Sequence, residues 1–403
     1  MSTGCWTLNG EVVAPGPYPA RLRRVVGIGA HRAARAEIGS WPGYGPTPLR
    51  SADRLAGRLG VEAVWVKDES GRFGLGSFKA LGGGYGVRWV VGHGSGVTVT
   101  CASDGNHGRA VAWGARMFGC DAVVYLPAHV TEARAEAIRS LGARVVRVDG
   151  EYDDAVARAD RDAHERGWTV VSDTSYEGYM EIPRVVMVGY TVMVEEVLGT
   201  LRAWQSMMDP SVPTHCVSGG EEAGERRRVK GGGLLPTHVF IQGGVGGLAA
   251  AVIGHLWARL GPDRPVAVIV EPGEADGLLL SARAGRPTAS RGSLHTIMAG
   301  LSCREISPLA WEVVGAGAHA FMTVADEGVP GVMREAARGE LGEPFEGGES
   351  GVAGLLGLIE VARDGERRRA IGLDERSRVL VFNTEGATDP GRYARIVRGG
   401  KPE

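Results

Sequence analysis

The chain has 403 residues, of which 43% are hydrophobic and 23% are charged, so it is long enough for two lobes with a sizeable core. Its 45 Lys and Arg residues nearly balance 47 Asp and Glu residues, so the charge gives no reason to expect nucleic acid or an anionic membrane as a partner. Five cysteines without CxxC spacing argue against a disulfide framework or a metal site, and with the lack of a membrane-spanning apolar run they predict a cytoplasmic protein.

The first informative stretch in chain order is DESGRFGLGSFKALG, residues 68–82, where Lys79 stands at the change from a glycine-rich loop to a helix. A lone lysine is most often a solvated surface group. Here the apolar neighbours Phe78, Ala80 and Leu81 predict partial burial, which would lower the pKa of the amine and leave it free for a Schiff base. A lysine held near a phosphate-binding loop is what pyridoxal phosphate chemistry requires.

Strand-like and helix-like patterns alternate from Ala102 to about Ser172, after the strand pattern GVTVTCA. The strands are predicted in GVTVTCA, DAVVYLPA, ARVVRVDG and WTVVSD, and the helices in GRAVAWGARMFG, TEARAEAIRSLG and YDDAVARADRDAHERG, with Thr131 as an N-cap. This alternation indicates a parallel sheet with covering helices.

Polar residues follow two of these strands, where α/β proteins bind ligands. The run SDGNH, residues 103–107, comes after the first strand, and Asp173 comes after the last. Helix capping by Ser103 or Asp104 would explain one polar residue of the run but not all of them. For Asp173, capping of the next turn is the simpler interpretation, so its importance depends on its neighbours in space.

From Trp204 to Pro236 the chain is polar, rich in glycine and without a periodic pattern. A loop of that length is uncommon inside a compact domain. We therefore predict an exposed, flexible insertion over residues 204–236.

The alternation resumes with THVFIQ, a strand that runs into the glycine turn 243–247 and then into the helix pattern GGLAAAVIGHLWARL. Backbone N–H groups in such a turn surround an anion, and the helix N-terminus adds a favourable dipole. The turn also fits the dinucleotide fingerprint G-x-G-x-x-A, with Glu271 ending the next strand. This motif therefore allows three interpretations: the dinucleotide site of a nicotinamide or flavin enzyme, a site for the phosphate of a smaller cofactor, and a purely structural turn.

Two later strands, PVAVIVEP and SRVLVFNTEG, complete the pattern and predict an α/β fold with two lobes. The ordered set SFKALG, SDGNHGRAVAW, GGVGG and FNTEG resembles the fold type II (tryptophan synthase β-like) family of pyridoxal phosphate enzymes. Within it, DESGRFGLGSFKALGG, DTSYEGYMEIP and MAGLSCREISPLAWEVV resemble the diaminopropionate ammonia-lyase branch. The resemblance runs from about Pro46 to Tyr393 and leaves the first 40 residues without a match.

The resemblance implies two lobes, each a mostly parallel sheet covered by helices. Residues 1–90 and 190–403 would form the large cofactor-binding domain, and residues 91–189 the small domain. Pyridoxal 5′-phosphate would form its Schiff base with Lys79 beside Phe78, and Asn106 would hydrogen-bond its phenolic oxygen. Thr384 would approach the pyridine nitrogen, and the phosphate would lie on the turn made of Gly243, Gly244, Val245, Gly246 and Gly247.

The resemblance also implies how the substrate is held. Ser103 and His107 would meet the substrate carboxylate, and Asp104 and Asp173 would be the acids and bases specific to the branch. An amine leaves carbon as neutral ammonia only from its protonated form, and a nearby carboxylate favours that form. Lys79 and Asp104, on opposite faces of the cofactor, would take the Cα proton from the L and D enantiomers respectively.

The implied reaction converts 2,3-diaminopropionate, in its D or L form, to pyruvate and two molecules of ammonia through an aminoacrylate. One departure stands out: Ala387 occupies a position where an acidic residue is expected in this branch. Another β-eliminase or β-replacement enzyme of amino-acid metabolism, such as a relative of the serine and threonine dehydratases, therefore remains the alternative. A small amino-acid substrate and a homodimer are implied, without a metal.

Overall fold

The computed structural model describes residues 4–94, 96–103, 105–128, 130–150, 152–208 and 233–401. The strands in these residues are β1 (Trp6–Leu8), β2 (Leu49–Ser51), β3 (Ala63–Asp68), β4 (Thr98–Ala102), β5 (Asp121–Pro127), β6 (Arg144–Val148), β7 (Thr169–Val170), β8 (His238–Gln242), β9 (Val266–Pro272), β10 (Ala320–Val324) and β11 (Arg378–Asn383). The α-helices are α1 (Ile28–Gly39), α2 (Asp53–Leu59), α3 (Lys79–Val91), α4 (Asn106–Phe118), α5 (Glu132–Arg139), α6 (Tyr152–Arg166), α7 (Glu181–Met208), α8 (Gly247–Leu260), α9 (Gly277–Ala284), α10 (Pro308–Gly317), α11 (Val329–Ala337), α12 (Ala353–Arg363), α13 (Gly365–Ala370) and α14 (Pro390–Val397).

The strands form two sheets. The larger sheet has seven strands in the order β1-β10-β9-β8-β11-β3-β2, and the smaller has four in the order β6-β5-β4-β7. All neighbouring strands are parallel except the two edge pairs of the large sheet, β1 with β10 and β2 with β3. The predicted α/β class with mostly parallel sheets is therefore confirmed.

The central strands of the large sheet are buried along almost their whole length, because helices cover both faces. Every residue of β8 and β10 is buried, as are five of the six residues of β11. Continuous burial of this kind is expected for parallel sheets and explains why the sequences of these strands are mostly apolar and do not alternate between apolar and polar residues.

Several details differ from the sequence prediction. The run WTVVSD yields only the two-residue strand β7, and Thr131 occupies the N-cap position of α5 without making a capping hydrogen bond. The predicted insertion begins too early: residues 204–208 are the last turn of α7, whose apolar face packs into the core. Residues 209–232 lie outside the described residues. The division into domains stays a prediction.

A buried ion-pair network lies beneath the loop that leads to α3. Lys67 and Arg72 both contact the carboxylate of Glu196 on α7, at 2.6 and 2.7 Å, and Arg72 also contacts Glu69 at 2.8 Å. All four side chains are at most 1% exposed. The two positive and two negative charges balance, and they fasten the end of β3 and the loop after it to α7.

Among the described residues, no helix has both the length and the apolar character needed to cross a membrane.

Candidate active site

The functional side chains converge on one cavity between the two sheets. It contains about 960 Å³ of free space, part of it open to solvent, and its walls come from the start of α3, the loop between β4 and α4, the turn between β8 and α8, and the segment after β11. These loops lie at the carboxyl ends of parallel strands, where α/β folds bind ligands. Segments that are far apart in the chain thus form one site.

Lys79 and Asp173 form an ion pair at the centre of this cavity, although 94 residues separate them in the chain. Lys79 is the first residue of α3, and its ammonium also lies 5.4 Å from the centroid of the Phe78 ring and 6.0 Å from that of Tyr190. The side chains of Lys79 and Asp173 are 18% and 11% exposed, so the pair is largely shielded from water.

The ion pair overturns the expected direction of the Lys79 pKa. Burial alone would lower this pKa, but the charge of Asp173 and the hydrogen bond to it outweigh burial, and the pKa is raised. Burial acts on Asp173 in the opposite sense, yet the neighbouring cation lowers the pKa of this carboxyl. Asp173 is not a cap for the next helix, because α7 begins only at Glu181. Lys79 and Asp173 therefore stabilise each other in their charged forms.

Glycines in α3 bring the helices of the site close together. A Cβ atom on Gly82 would lie 2.3 Å from the Tyr190 ring on α7, and one on Gly83 would lie 2.6 Å from Cβ of Ala110 on α4. Such contacts are sterically impossible, so glycine is required at both positions despite its low helix propensity. The close packing carries Asn106, at the start of α4, to the cavity that Lys79 lines.

The loop before α4 is held mainly by Ser103 and His107. The Ser103 hydroxyl accepts hydrogen bonds from the N–H groups of Gly105 and Gly108, both at 2.9 Å, although the N-cap residue of α4 is Gly105 and not Ser103. His107 Nε2 lies 2.7 Å from the Val171 carbonyl oxygen and donates to it, which leaves Nδ1 as a buried acceptor without a partner among the described residues. Burial lowers the pKa of His107 and keeps the ring neutral. Asp104 lies outside the described residues.

The glycine turn between β8 and α8 has the backbone that its sequence predicts. Gly244 and Gly246 have φ of +61° and +96°, values that favour glycine, and α8 starts at Gly247. Gly243, Gly244, Val245 and Gly247 line the cavity, whereas Gly246 is not part of its wall and faces Ala310 and Leu278. The turn thus presents the N-terminus of a 14-residue helix to the cavity, a site suited to a phosphate.

The dinucleotide interpretation fails on Glu271. Its carboxylate is fully buried and accepts hydrogen bonds from the N–H groups of Leu278 and Leu279, at 2.9 and 2.8 Å, at the start of α9. Burial raises the pKa of Glu271 to about 8. The Glu271 side chain packs behind Gly243, where a Cβ atom would come within 2.4 Å of its Cγ atom, so it supports the turn and is not available to a ribose.

The segment after β11 contributes Thr384 and Glu385. Thr384 lines the cavity, and its carbonyl oxygen accepts a hydrogen bond from Phe78 N–H at 3.1 Å. Glu385, which sequence reasoning missed, accepts hydrogen bonds from the Asn106 side-chain amide and, at 2.9 Å, from the Ser350 N–H. Glu385 follows Thr384 in the motif FNTEG, so its position was visible in the sequence, but its contact across the cavity was not.

Tyr190 was also missed, because it is one apolar-face residue among many on the long helix α7. Its side chain is buried beside the Lys79 ammonium, and its ring lies 4.7 Å from that of Phe78. Nothing in the local sequence distinguishes it from a core tyrosine. The residues present fit pyridoxal phosphate: a lysine, a phosphate-sized glycine turn, an asparagine amide and a hydroxyl all meet in a cavity of sufficient size.

Comparison with known proteins agrees with this fit. A family model described as pyridoxal-phosphate dependent enzyme matches residues 40–385. Diaminopropionate ammonia-lyase of Escherichia coli strain K12 is 35% identical over 386 residues, covering 89% of each chain. The crystal structure of that E. coli enzyme in complex with an aminoacrylate-PLP azomethine reaction intermediate superposes with a TM-score of 0.83 at 33% identity, covering 98% of this chain and 96% of the other. Threonine deaminase isoform 2 of Solanum lycopersicum shares the fold, with a TM-score of 0.73 at 18% identity, covering 99% and 92%.

Proposed function

The chain belongs to the pyridoxal-phosphate-dependent enzyme family, and from that premise we propose that it is a lyase that removes ammonia from 2,3-diaminopropionate. The overall reaction consumes one water and yields pyruvate and two molecules of ammonia. The proposal draws on the 35% identity to diaminopropionate ammonia-lyase over 89% of both chains.

The observation that carries the proposal is the Lys79–Asp173 ion pair inside the cavity. A lysine that forms a Schiff base explains the cation, but it does not explain a buried carboxylate beside it. A substrate with a second amino group does: its β-ammonium would give Asp173 a cationic partner in place of Lys79, whose nitrogen would be engaged by the cofactor. A hydroxyl substrate would leave Asp173 without that compensation.

When bound, pyridoxal phosphate withdraws electrons from the substrate's Cα and makes its proton acidic. The chain's own residues then act on defined atoms. The N–H groups of the 243–247 turn and the dipole of α8 hold the phosphate. The Lys79 amine takes the Cα proton of the L enantiomer. Asp173 holds the leaving amine in its protonated form and orients it, as a general acid–base partner does.

The first prediction concerns substrate choice. We expect at least one diaminopropionate enantiomer to be converted faster than L-serine, L-threonine or β-chloroalanine, because only diaminopropionate has a β-ammonium group that can pair with Asp173. The measurement is the rate of pyruvate or ketobutyrate formation across this panel. If serine or threonine is converted faster than both enantiomers, the chain is instead a relative of the dehydratases and the substrate assignment is wrong.

The second prediction separates the two bases that the sequence suggests. Asp104→Ala should slow the D enantiomer more than the L enantiomer, since Lys79 would still serve the latter. The measurement is kcat/KM for each enantiomer in the wild type and the variant. A larger loss for the L enantiomer would refute this division of roles.

We further propose that the protein is a cytoplasmic homodimer. The family resemblance supports the dimer. The odd number of cysteines, without CxxC spacing, supports a reducing compartment such as the cytoplasm. Light scattering on the purified holoenzyme tests the dimer, which would be refuted by a mass of one chain.

A further inference from the structure

We propose that Glu385 is a positioning residue that fixes the orientation of the Asn106 amide, so that an N–H group rather than the carbonyl oxygen of Asn106 faces the cofactor. The inference deepens the proposed cofactor-binding function of the cavity and rests on it. Glu385 touches the pocket from the large sheet, whereas Asn106 belongs to α4 beside the small sheet.

The orientation of an asparagine amide is decided by its hydrogen-bond partners, because its oxygen and nitrogen have almost the same shape. The side-chain partner of Asn106 is the Glu385 carboxylate, which accepts from Nδ2. A carboxylate can only accept, so the nitrogen of Asn106 must face it. The nitrogen carries two N–H groups, and the second remains available to an acceptor in the cavity, such as the phenolic oxygen assigned to Asn106 from sequence.

Glu385 is held firmly enough to impose this choice. Its Oε1 accepts the Ser350 N–H at 2.9 Å, its carbonyl oxygen accepts the Gly348 N–H at 2.8 Å, and its backbone pairs with Ser77 in an isolated β-bridge. The residue is only 4% exposed. Because both carboxylate oxygens are engaged, the side chain cannot turn away from Asn106 without losing a buried hydrogen bond.

A glutamine at position 385 cannot accept both of these hydrogen bonds. It has one accepting oxygen, whereas Glu385 accepts on two: one from Ser350 and one from Asn106. If the glutamine oxygen keeps the Ser350 bond, its NH₂ group faces Asn106 and favours the flipped amide. Asn106 would then present an oxygen to the phenolic oxygen of the cofactor, which replaces an attraction by a repulsion.

The test uses Glu385→Gln, Asn106→Ala and the double variant, each prepared as apoprotein and titrated with pyridoxal phosphate. We expect Glu385→Gln to raise the Kd for pyridoxal phosphate about tenfold, as for a lost hydrogen bond to a charged group, and to shift the visible absorbance band in the same direction as Asn106→Ala. The double variant should bind within about twofold of Asn106→Ala alone, since Glu385 acts through Asn106. Glu343→Gln, an exposed residue before α12, is the matched control and should behave as the wild type.

The proposal is overturned if Glu385→Gln has the wild-type affinity for pyridoxal phosphate and the wild-type spectrum. It is also overturned if the losses of affinity add up in the double variant, because Glu385 would then act on the cofactor directly and not through Asn106. Glu385→Asp keeps the charge but withdraws the carboxylate from Asn106, and it replaces Glu385→Gln if that variant does not fold; the same spectral shift is expected. Failure of the proposed function is distinguishable: a wild type that does not bind pyridoxal phosphate refutes the site itself, and a wild type that prefers another substrate leaves these readouts intact.

Discussion

Asp173 controls the charge of the Lys79 amine, and this control is open to a direct test. Asp173→Asn removes the carboxylate and leaves burial as the main influence on Lys79, so the pKa of the amine should fall from above its ordinary value to below it. The measurement is the pH dependence of Lys79 acylation in the apoprotein, followed by mass spectrometry. The labelling midpoint should move to lower pH, and an unchanged midpoint would show that the pair does not set the pKa.

The same substitution should reduce elimination from diaminopropionate by about 10²- to 10⁴-fold, the range expected when a general acid–base partner is lost. Asp121→Asn, at the exposed start of β5, is the control and should retain the wild-type rate. A loss of less than tenfold with Asp173→Asn would mean that another group protonates the leaving amine.

At the residue scale, sequence reasoning identified the chemistry but not the pairings. Lys79, Asn106 and Thr384 could be found because each stands in a short motif at a strand or helix end. The Lys79 pKa was predicted in the wrong direction because its partner, Asp173, is distant in sequence and became a neighbour only through the fold. Glu385 was overlooked for the same reason, because its relevant contact is with Asn106 on the opposite side of the cavity.

At the scale of the elements, the glycine turn depends on the space in front of Glu271. Gly243→Ala would place a Cβ atom 2.4 Å from this buried side chain, which is a severe clash. We expect the variant to weaken pyridoxal phosphate binding at least tenfold, because the turn must shift away from the phosphate. Gly273→Ala, whose Cβ would have no heavy atom within 4 Å, is the control. Equal affinity of the two variants would mean that the turn tolerates displacement.

The contact of α1, α7 and α8 contains two buried histidines, His31 and His255, whose rings lie 4.2 Å apart. His31 Nδ1 shares a hydrogen bond with the Thr191 hydroxyl at 2.8 Å. His255 Nε2 lies 2.8 Å from the carboxylate of Glu195, which also forms an ion pair with Arg259. These are the metal-capable side chains that cluster among the described residues. Two arginines on Glu195 already neutralise its charge, so a hydrogen-bonded neutral pair explains the cluster without an ion.

This histidine pair predicts acid sensitivity. Burial, together with His255 and nearby arginines, lowers the pKa of His31 to about 3, against ~6.5 in the unfolded chain. The unfolded chain therefore binds more protons between these values, and the free energy of unfolding falls as the pH falls, by up to ~1.4 kcal/mol per pH unit. His31→Gln should reduce the slope of the unfolding free energy between pH 6 and pH 4 in urea unfolding of the apoprotein by up to ~1.4 kcal/mol per pH unit, whereas His164→Gln, an exposed control, should leave it unchanged. An unchanged slope in the first variant would contradict the assignment.

Helices and strands were the most predictable level of the structure. Apolar runs flanked by glycine or proline gave β8, β9 and β11, because burial on both faces makes such strands conspicuous. The short edge strands β1 and β2 were not predicted, because each has only three residues and its pairing partner lies elsewhere in the chain. The end of α7 was missed because the apolar residues Met207 and Met208 in its last turn are 76% and 75% exposed, so the turn does not continue the buried face of the helix.

At the scale of the whole molecule, the buried network of Lys67, Glu69, Arg72 and Glu196 joins the large sheet to α7. Arg72→Met would leave two buried carboxylates facing one ammonium, and we expect a loss of about 3–5 kcal/mol in the free energy of unfolding. Arg58→Met, which breaks the exposed Arg58–Glu335 pair, should cost no more than ~1 kcal/mol. Denaturant titration of both apoproteins compares them, and equal losses would show that burial does not strengthen the network.

The order of strands in the large sheet has a consequence for how the protein is made. Among the described residues β11 is the last strand in chain order, yet it lies between β8 and β3 and pairs with both. Until its residues leave the ribosome, the sheet exists as two separate pieces, each with an open edge capable of pairing with other chains. Thr384 and Glu385 follow β11 directly. The cofactor pocket therefore cannot assemble before β11 has been synthesised, and the two open edges need protection until then.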